Sequence, residues 1–278
     1  MAASCENLVV FRLIACDLDG TLLSKAPPIP ERNVSALRRA AELGIELVLV
    51  SARAPRGMRA IVEELGIEGP AICMNGALVY DFSSESVLRY LPIEIGILRN
   101  IVGTLRRHLP GTVFHWELPS SFGREEAYEA LSPLKTFDKV ALRTVGDPLE
   151  VAEAVGKLVA RHPDHDSASL ANALSDLLTP DLVLTISGPT FIEISAAGAT
   201  KAAALEWWCT ERGISAEEVI AFGDMLNDIP MLTWAGRSVA MANAHPDVKV
   251  IADEITGSNV DAGVAQTLEP ILDGLTLS

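Results

Sequence analysis

Lysine and arginine are scarce in this chain of 278 residues: 22 stand against 37 aspartates and glutamates, for a formal net charge of −15. A nucleic-acid partner is argued against, because binding a polyanion relies on cationic side chains neutralising phosphates. Any phosphate site must therefore draw positive charge locally, from a metal, a lysine or a helix N-terminus. Cysteine is equally sparse. Cys5, Cys16, Cys73 and Cys209 are far apart and form no CxxC pair, which reads as buried, reduced thiols in a cytoplasmic protein. No apolar stretch approaches the ~20 residues that a membrane span needs. The first residues, Met1-Ala-Ala-Ser-Cys-Glu6, lack a basic n-region, so no signal peptide is expected. Internal repeats and low-complexity segments are absent as well. What is abundant is hydrophobic residues, at 49%, enough for a sizeable core in one large domain or two smaller ones.

The first third alternates strands and helices. An apolar run at 11–17 ends in Asp17-Leu-Asp19-Gly20-Thr21. A helical pattern at 31–43 follows Pro30 and stops at Gly44. A second strand, 45–50, ends at Ser51; a helix over 56–65 stops at Gly66; a third strand, 70–74, ends at Asn75-Gly76. This rhythm implies a parallel, doubly wound sheet.

From 82 to 188 the pattern changes. Residues 93–108 and 148–162 read as helices, 113–117 and 139–145 as strands, and 183–187 with 191–195 as a hairpin through Gly188-Pro189. The mixture implies an α+β insert, in which 163–181 has no assigned form. The α/β rhythm then resumes, with a helix over 200–212, a strand 218–222 ending at Gly223-Asp224, a short helix 230–235, and apolar elements at 237–241 and 248–251. The expected organisation is a discontinuous core, 1–81 and 189–278, interrupted by an inserted domain, 82–188.

Chemistry belongs at the C-terminal ends of strands in such a sheet, and three of them end in Asp17, Ser51 and Asp224. Asp17 is a charged residue directly after a buried strand, which a simple Asp-Gly turn does not explain. A carboxylate is ionised at neutral pH and attacks without an activating base. Ser51 alone reads as a helix cap. Lys201 starts a helix, where the dipole disfavours a cation, so an anion to meet there accounts for it better. Gly223-Asp224-Met-Leu-Asn227-Asp228 places three polar side chains just after a buried strand, as a metal or phosphate loop does.

In this order and spacing, Asp17-Leu-Asp19-Gly20-Thr21, Ser51-Ala52-Arg53, Lys201 and Gly223-Asp224-Met-Leu-Asn227-Asp228 resemble the four motifs of the haloacid dehalogenase superfamily. Met74-Asn75-Gly76-Ala77, Phe191-Ile-Glu-Ile-Ser195 and Ala240-Met-Ala-Asn243-Ala resemble its Cof-like sugar-phosphatase branch, which carries a cap between motifs two and three. The resemblance implies a Rossmann-like core with an α+β cap, and a Mg²⁺-dependent phosphatase of a small phosphorylated metabolite, a sugar phosphate first among them. It also implies roles. Asp17 is the nucleophile that becomes an aspartyl-phosphate, and Asp19 the general acid and base. Asp17, the Asp19 carbonyl and Asp224 hold Mg²⁺; Ser51, Lys201, Asn227 and Thr21 meet the phosphate, with Thr21 also bracing its loop; Asp228 supports. Arg53, Asn75 and Asn243 are candidates for substrate contact.

In the insert, His115, Trp116, Glu117, Arg124 and Arg143 are read either as substrate-facing or as core (Trp116) and surface (the others). One departure is visible: Ala52 stands where the branch usually has glycine, and alanine suits a close phosphate approach only at negative φ. A phosphomutase, a disaccharide-phosphate phosphatase and a non-catalytic phosphometabolite sensor stay open as alternatives. The oligomeric state, monomer or dimer, is not read from the sequence.

Overall fold

A computed structural model of the chain describes residues 11–23, 29–132, 142–150, 153–175 and 177–276. Cys5 lies outside them, as do residues 139–141 of the expected strand. In chain order the strands are β1 (Leu13–Asp17), β2 (Glu46–Val50), β3 (Pro70–Cys73), β4 (Leu78–Asp81), β5 (Ser86–Tyr90), β6 (Val113–Glu117) and β7 (Ser121–Arg124). They continue with β8 (Leu142–Val145), β9 (Lys157–Arg161), β10 (Leu182–Gly188), β11 (Phe191–Ala196), β12 (Val219–Gly223), β13 (Arg237–Ala240) and β14 (Glu254–Ile255). The helices are α1 (Glu31–Glu42), α2 (Arg59–Leu65), α3 (Ile95–His108), α4 (Glu126–Leu131) and α5 (Ser167–Leu174), then α6 (Lys201–Arg212), α7 (Ile229–Trp234), α8 (Pro246–Ile251) and α9 (Gly263–Thr276).

The chain divides into two compact units: Met1–Leu49 with Glu63–Gly69 and Leu205–Ser278, and Val50–Val62 with Pro70–Ala204. In the first, the strand order is β14-β13-β12-β1-β2. The pairs β1–β12, β12–β13 and β13–β14 are parallel. β1 is buried along its whole length, which is why it reads as a continuous apolar run rather than an alternation. It has the early strand β2 on one side and the late strand β12 on the other, which is the switch point at which an open α/β sheet forms a crevice.

In the second unit β3, β4 and β5 form an antiparallel meander. A separate six-stranded sheet has the order β10-β11-β9-β6-β7-β8. Its two faces differ. One carries Phe114, Trp116, Leu158, Ala160, Ile192 and Ile194, which pack on Leu98, Ile101, Val102 and Leu105 of α3 and Leu170 and Leu174 of α5. Pairing of Glu117 with Lys157 and of His115 with both Val159 and Arg124 puts polar residues on the other face.

Two expectations change. Residues 157–161 are strand β9 and not part of a helix over 148–162. Leu158 and Ala160, both fully buried, share one face, with Lys157 and Val159 on the opposite face. Pairing with both β6 and β11 overrides a local pattern compatible with helix. The stretch without an assigned form holds α5, whose N-cap Asp166 accepts a hydrogen bond from the Ser169 amide at 2.8 Å. The hairpin of β10 and β11 is as expected. Cys16, Cys73 and Cys209 are buried thiols. Burial pushes the Cys209 thiol up to about 12, so it stays protonated at neutral pH. Among the described residues no helix is long and apolar enough to cross a membrane.

Candidate active site

In the first unit, the register of β1 on β12 pairs Cys16 with Phe222, so Asp17 at the end of β1 and Asp224 just beyond β12 emerge along one edge. There Asp17, Asp224 and Asp228 each offer an oxygen, all within 4.8 Å of one another. All three residues are at most 5% exposed. Like charges this close and this buried repel strongly, so the arrangement calls for a cation. Mg²⁺ takes hard oxygen donors, one or two of them carboxylates, and Asp17 and Asp224 fit it, with Asp228 Oδ2 occupied by backbone amides.

The neighbours of the trio hold it in shape. The buried Thr21 hydroxyl donates to Asp224 Oδ1 at 2.7 Å. Asp228 Oδ2 accepts from the Asp224 amide at 3.0 Å and the Met225 amide at 2.9 Å. Gly20 has φ +97, and a Cβ there would lie 2.3 Å from Asp224 Oδ2; only glycine combines that backbone with that approach. Asn243 Nδ2 donates to the Gly20 carbonyl at 2.7 Å, while its Oδ1 accepts from the Asn259 amide. Thr21 and Asn243 thus act on the loop itself: the hydroxyl expected at phosphate donates to a carboxylate, and the amide expected at substrate donates to the Gly20 carbonyl. Asp19 is exposed, unlike Asp17, and Asn227 is half-buried in a short turn, 226–228.

In the second unit, Ser51 is buried just beyond β2, and its Oγ accepts from the Arg53 amide at 3.1 Å. The Ser51 carbonyl accepts from the Asn75 amide at 3.0 Å, and the Arg53 carbonyl from the Met74 amide at 2.9 Å. Met74 and Asn75 have φ +52 and +57, a left-handed turn that asparagine tolerates better than most residues. Ala52 is not among the positive-φ residues, which meets the condition for alanine at that position. Gly76, at φ +99, packs so closely that a Cβ would sit 2.1 Å from the Thr200 carbonyl and 3.1 Å from the Lys201 amide. The turn after β3 is thereby brought onto the start of α6, next to the buried Lys201. The Arg53 guanidinium donates to the Gly57 carbonyl.

On the polar face of the six-stranded sheet, His115 and Glu117, named from the sequence, are joined by Arg56, Lys157 and Glu193, to which the sequence reading gave no role. Arg56 forks onto Glu117 with bonds of 2.6 and 2.8 Å, and His115 Nε2 lies 2.8 Å from Glu117 Oε1. Burial pulls the His115 imidazole down, so it is neutral and donates from Nε2. Burial alone would raise the Glu117 carboxyl, but His115 and Arg56 outweigh it and hold the group well below the usual carboxylate range. His115 and Glu117 are therefore neither on the surface nor open to solvent. Trp116 is core, at 2% exposure, and Arg143 pairs with Glu129. Lys157 donates to the Ala52 carbonyl at 2.6 Å and pairs with Glu193, which accepts from Asn75 Nδ2 at 2.8 Å. No local motif marks Arg56 or Lys157. Glu193 lies in the Phe191-Ile-Glu-Ile-Ser195 phrase of the family resemblance, a charge inside an otherwise apolar strand to which the sequence reading gave no role.

A parallel α/β sheet with a switch point at β1 thus carries a buried carboxylate cluster at its C-terminal edge. The haloacid dehalogenase-like hydrolase family matches residues 14–268, and the chain belongs to it. Among its relatives, pyridoxal phosphate phosphatase YbhA of Escherichia coli is 31% identical over 92% of this chain and 96% of that protein. The 5-amino-6-(5-phospho-D-ribitylamino)uracil phosphatase YcsE of Bacillus subtilis is also 31% identical, over 94% and 95%. A haloacid dehalogenase-like hydrolase from Bacteroides thetaiotaomicron has a similar solved structure, with a TM-score of 0.78 and 30% identity, covering 94% of this chain and 99% of that one.

Proposed function

We propose that the chain is a Mg²⁺-dependent phosphatase that hydrolyses a small phosphorylated metabolite through an aspartyl-phosphate on Asp17. The observation that carries this reading is the buried trio Asp17, Asp224 and Asp228 with the exposed Asp19 two residues further on. Its named relatives at this level of identity are phosphatases, which supports the reading.

Asp17, Asp224 and the Asp19 carbonyl would hold Mg²⁺, with Asp228 ordering the loop. When bound, the ion lets one anion approach another by offsetting their charge. Asp17 Oδ attacks phosphorus, and the bond to the leaving oxygen breaks. Asp19, reachable by solvent, gives its proton to that oxygen and then takes one from the water that cleaves the aspartyl-phosphate. The Ser51 hydroxyl and the Lys201 ammonium hold the phosphoryl oxygens as their charge redistributes, and Asn227 adds a polar contact. The insert, 82–188, serves as a cap that excludes water and reads the substrate.

The test is phosphate release from a panel: sugar phosphates, pyridoxal phosphate, 5-amino-6-(5-phospho-D-ribitylamino)uracil and a chromogenic phosphate ester, each with Mg²⁺ and with EDTA. Mg²⁺-dependent release from one class of monoester is expected, with sugar phosphates the first candidates. Release indifferent to EDTA, or none at all, would overturn the reading.

A further inference from the structure

The Ser51–Ala52–Arg53 segment has all three carbonyls engaged: Ser51 and Arg53 by backbone amides of the Met74–Asn75 turn, and Ala52 by the ammonium of Lys157. A trans peptide is planar, with its N–H pointing opposite to its carbonyl. Fixing the Ser51 carbonyl on Asn75 therefore aims the Ala52 N–H the other way. Fixing the Ala52 carbonyl on Lys157 likewise aims the Arg53 N–H away, and it lands on Ser51 Oγ.

Lys157 comes from β9 and Glu193 from β11, and both are at most 4% exposed. A buried ion pair stabilises a fold little better than an apolar pair of equal volume. This pair does something that an apolar pair cannot. Lys157 bonds Ala52, and Glu193 bonds the Asn75 side chain, whose left-handed backbone amide in turn holds Ser51. The two charges therefore act on successive carbonyls, Lys157 directly on Ala52 and Glu193 through Asn75 on Ser51, in the segment that carries the hydroxyl.

We propose that Lys157 and Glu193 are positioning residues for the reaction, acting through the Ala52 carbonyl and Asn75 to set the direction of the Ser51 hydroxyl and the Ala52 N–H. The claim rests on the reading that Ser51 meets the phosphoryl group. It predicts that the pair matters more in the transition state than in substrate binding, because a fixed donor counts most where charge shifts.

The experiment compares wild type with the double variant Lys157→Met/Glu193→Gln. That variant removes both charges together and keeps an acceptor for Asn75, so no buried charge is left alone. Its melting temperature should stay near that of wild type. Its kcat should fall by about 10- to 100-fold, as displaced groups do, with KM little changed and affinity for orthovanadate falling in parallel. A folded double variant with wild-type kcat, or one that loses only KM, overturns the proposal. Should that variant fail to fold, Lys157→Leu/Glu193→Gln, which likewise leaves no charge unpaired, is verified as folded by circular dichroism and read by the same criteria. If wild type turns over no monoester, it is the phosphatase reading that fails. The positioning claim is then decided by the Ala52 and Arg53 amide resonances, which move in the variant if Lys157 orients the loop and stay put if it does not.

Discussion

At the scale of single residues, the readable part of the site consists of side chains whose chemistry conflicts with their local position. Asp17 is a charge at the end of a fully buried strand, and Asp224 repeats the pattern on β12. Such conflicts show in a sequence because local rules alone flag them. Lys157, Glu193, Glu117 and Arg56 were not legible in the same way. The Arg56–Glu117 and Lys157–Glu193 pairs join residues at least 36 apart in sequence, and only the tertiary fold reveals that these charges meet. Thr21 illustrates a middle case: its place in the motif was evident, its partner was not. Thr21→Val should remove the hydroxyl from Asp224 and cost about 1.5–3 kcal/mol, as loss of a hydrogen bond to a charged group does. It should also raise the Mg²⁺ concentration for half-maximal activity; chemical denaturation and a metal titration measure the two effects.

The His115–Glu117–Arg56 group gives a pH prediction with a definite sign. The His115 imidazole is held down by burial, so the folded state binds fewer protons there than the unfolded chain. Its contribution is complete above the unfolded value of about 6.5 and is lost as pH falls below it. The Glu117 carboxylate, also held low in the folded state, adds loss of the same sign below about pH 4.5. The melting temperature should therefore fall on acidification from neutrality. His115→Gln should flatten the part of that slope nearest neutrality, as a thermal-shift series in pH would record. A slope unaffected by the substitution would remove His115 from the account.

At the scale of elements, the alternating core was legible wherever strand ends, glycine stops and proline starts coincide, as at β2, α1 and α6. β9 was not. Its sequence suits a helix in isolation, and its strand form follows from pairing with β6 and β11 on both sides. The cost of disturbing that sheet can be measured on β7. Gly123 sits opposite Trp116 in the β6–β7 ladder, and a Cβ there would lie 2.0 Å from the indole ring. Gly123→Ala should cost about 1–3 kcal/mol by overpacking, read as a shifted denaturant midpoint. Activity per folded molecule should change little, because Trp116 faces α3 and the core.

At the scale of the whole molecule, composition excluded more than it identified. The net charge of −15 disfavours polyanions, yet the proposed substrate is itself an anion. The carboxylate cluster is suited to a cation of its own. Folding stability should then depend on the metal. A ligand that binds only the folded state at 100 times its Kd contributes about 2.7 kcal/mol, so saturating Mg²⁺ should raise the melting temperature over EDTA. Asp224→Asn should abolish most of that rise. Family membership was legible because four short motifs recur in one order. The substrate was not, because none of the four motifs carries a side chain that distinguishes one monoester from another.

The most direct test of the central claim is single-variant turnover: phosphate release by Asp17→Asn against wild type, at saturating Mg²⁺ and on the best monoester of the panel. The account predicts a fall in kcat of at least about 10³-fold, in the range seen when a covalent nucleophile is removed, with the fold intact by circular dichroism. An Asp17→Asn protein that is folded and still turns over at near the wild-type rate would contradict the aspartyl-phosphate mechanism.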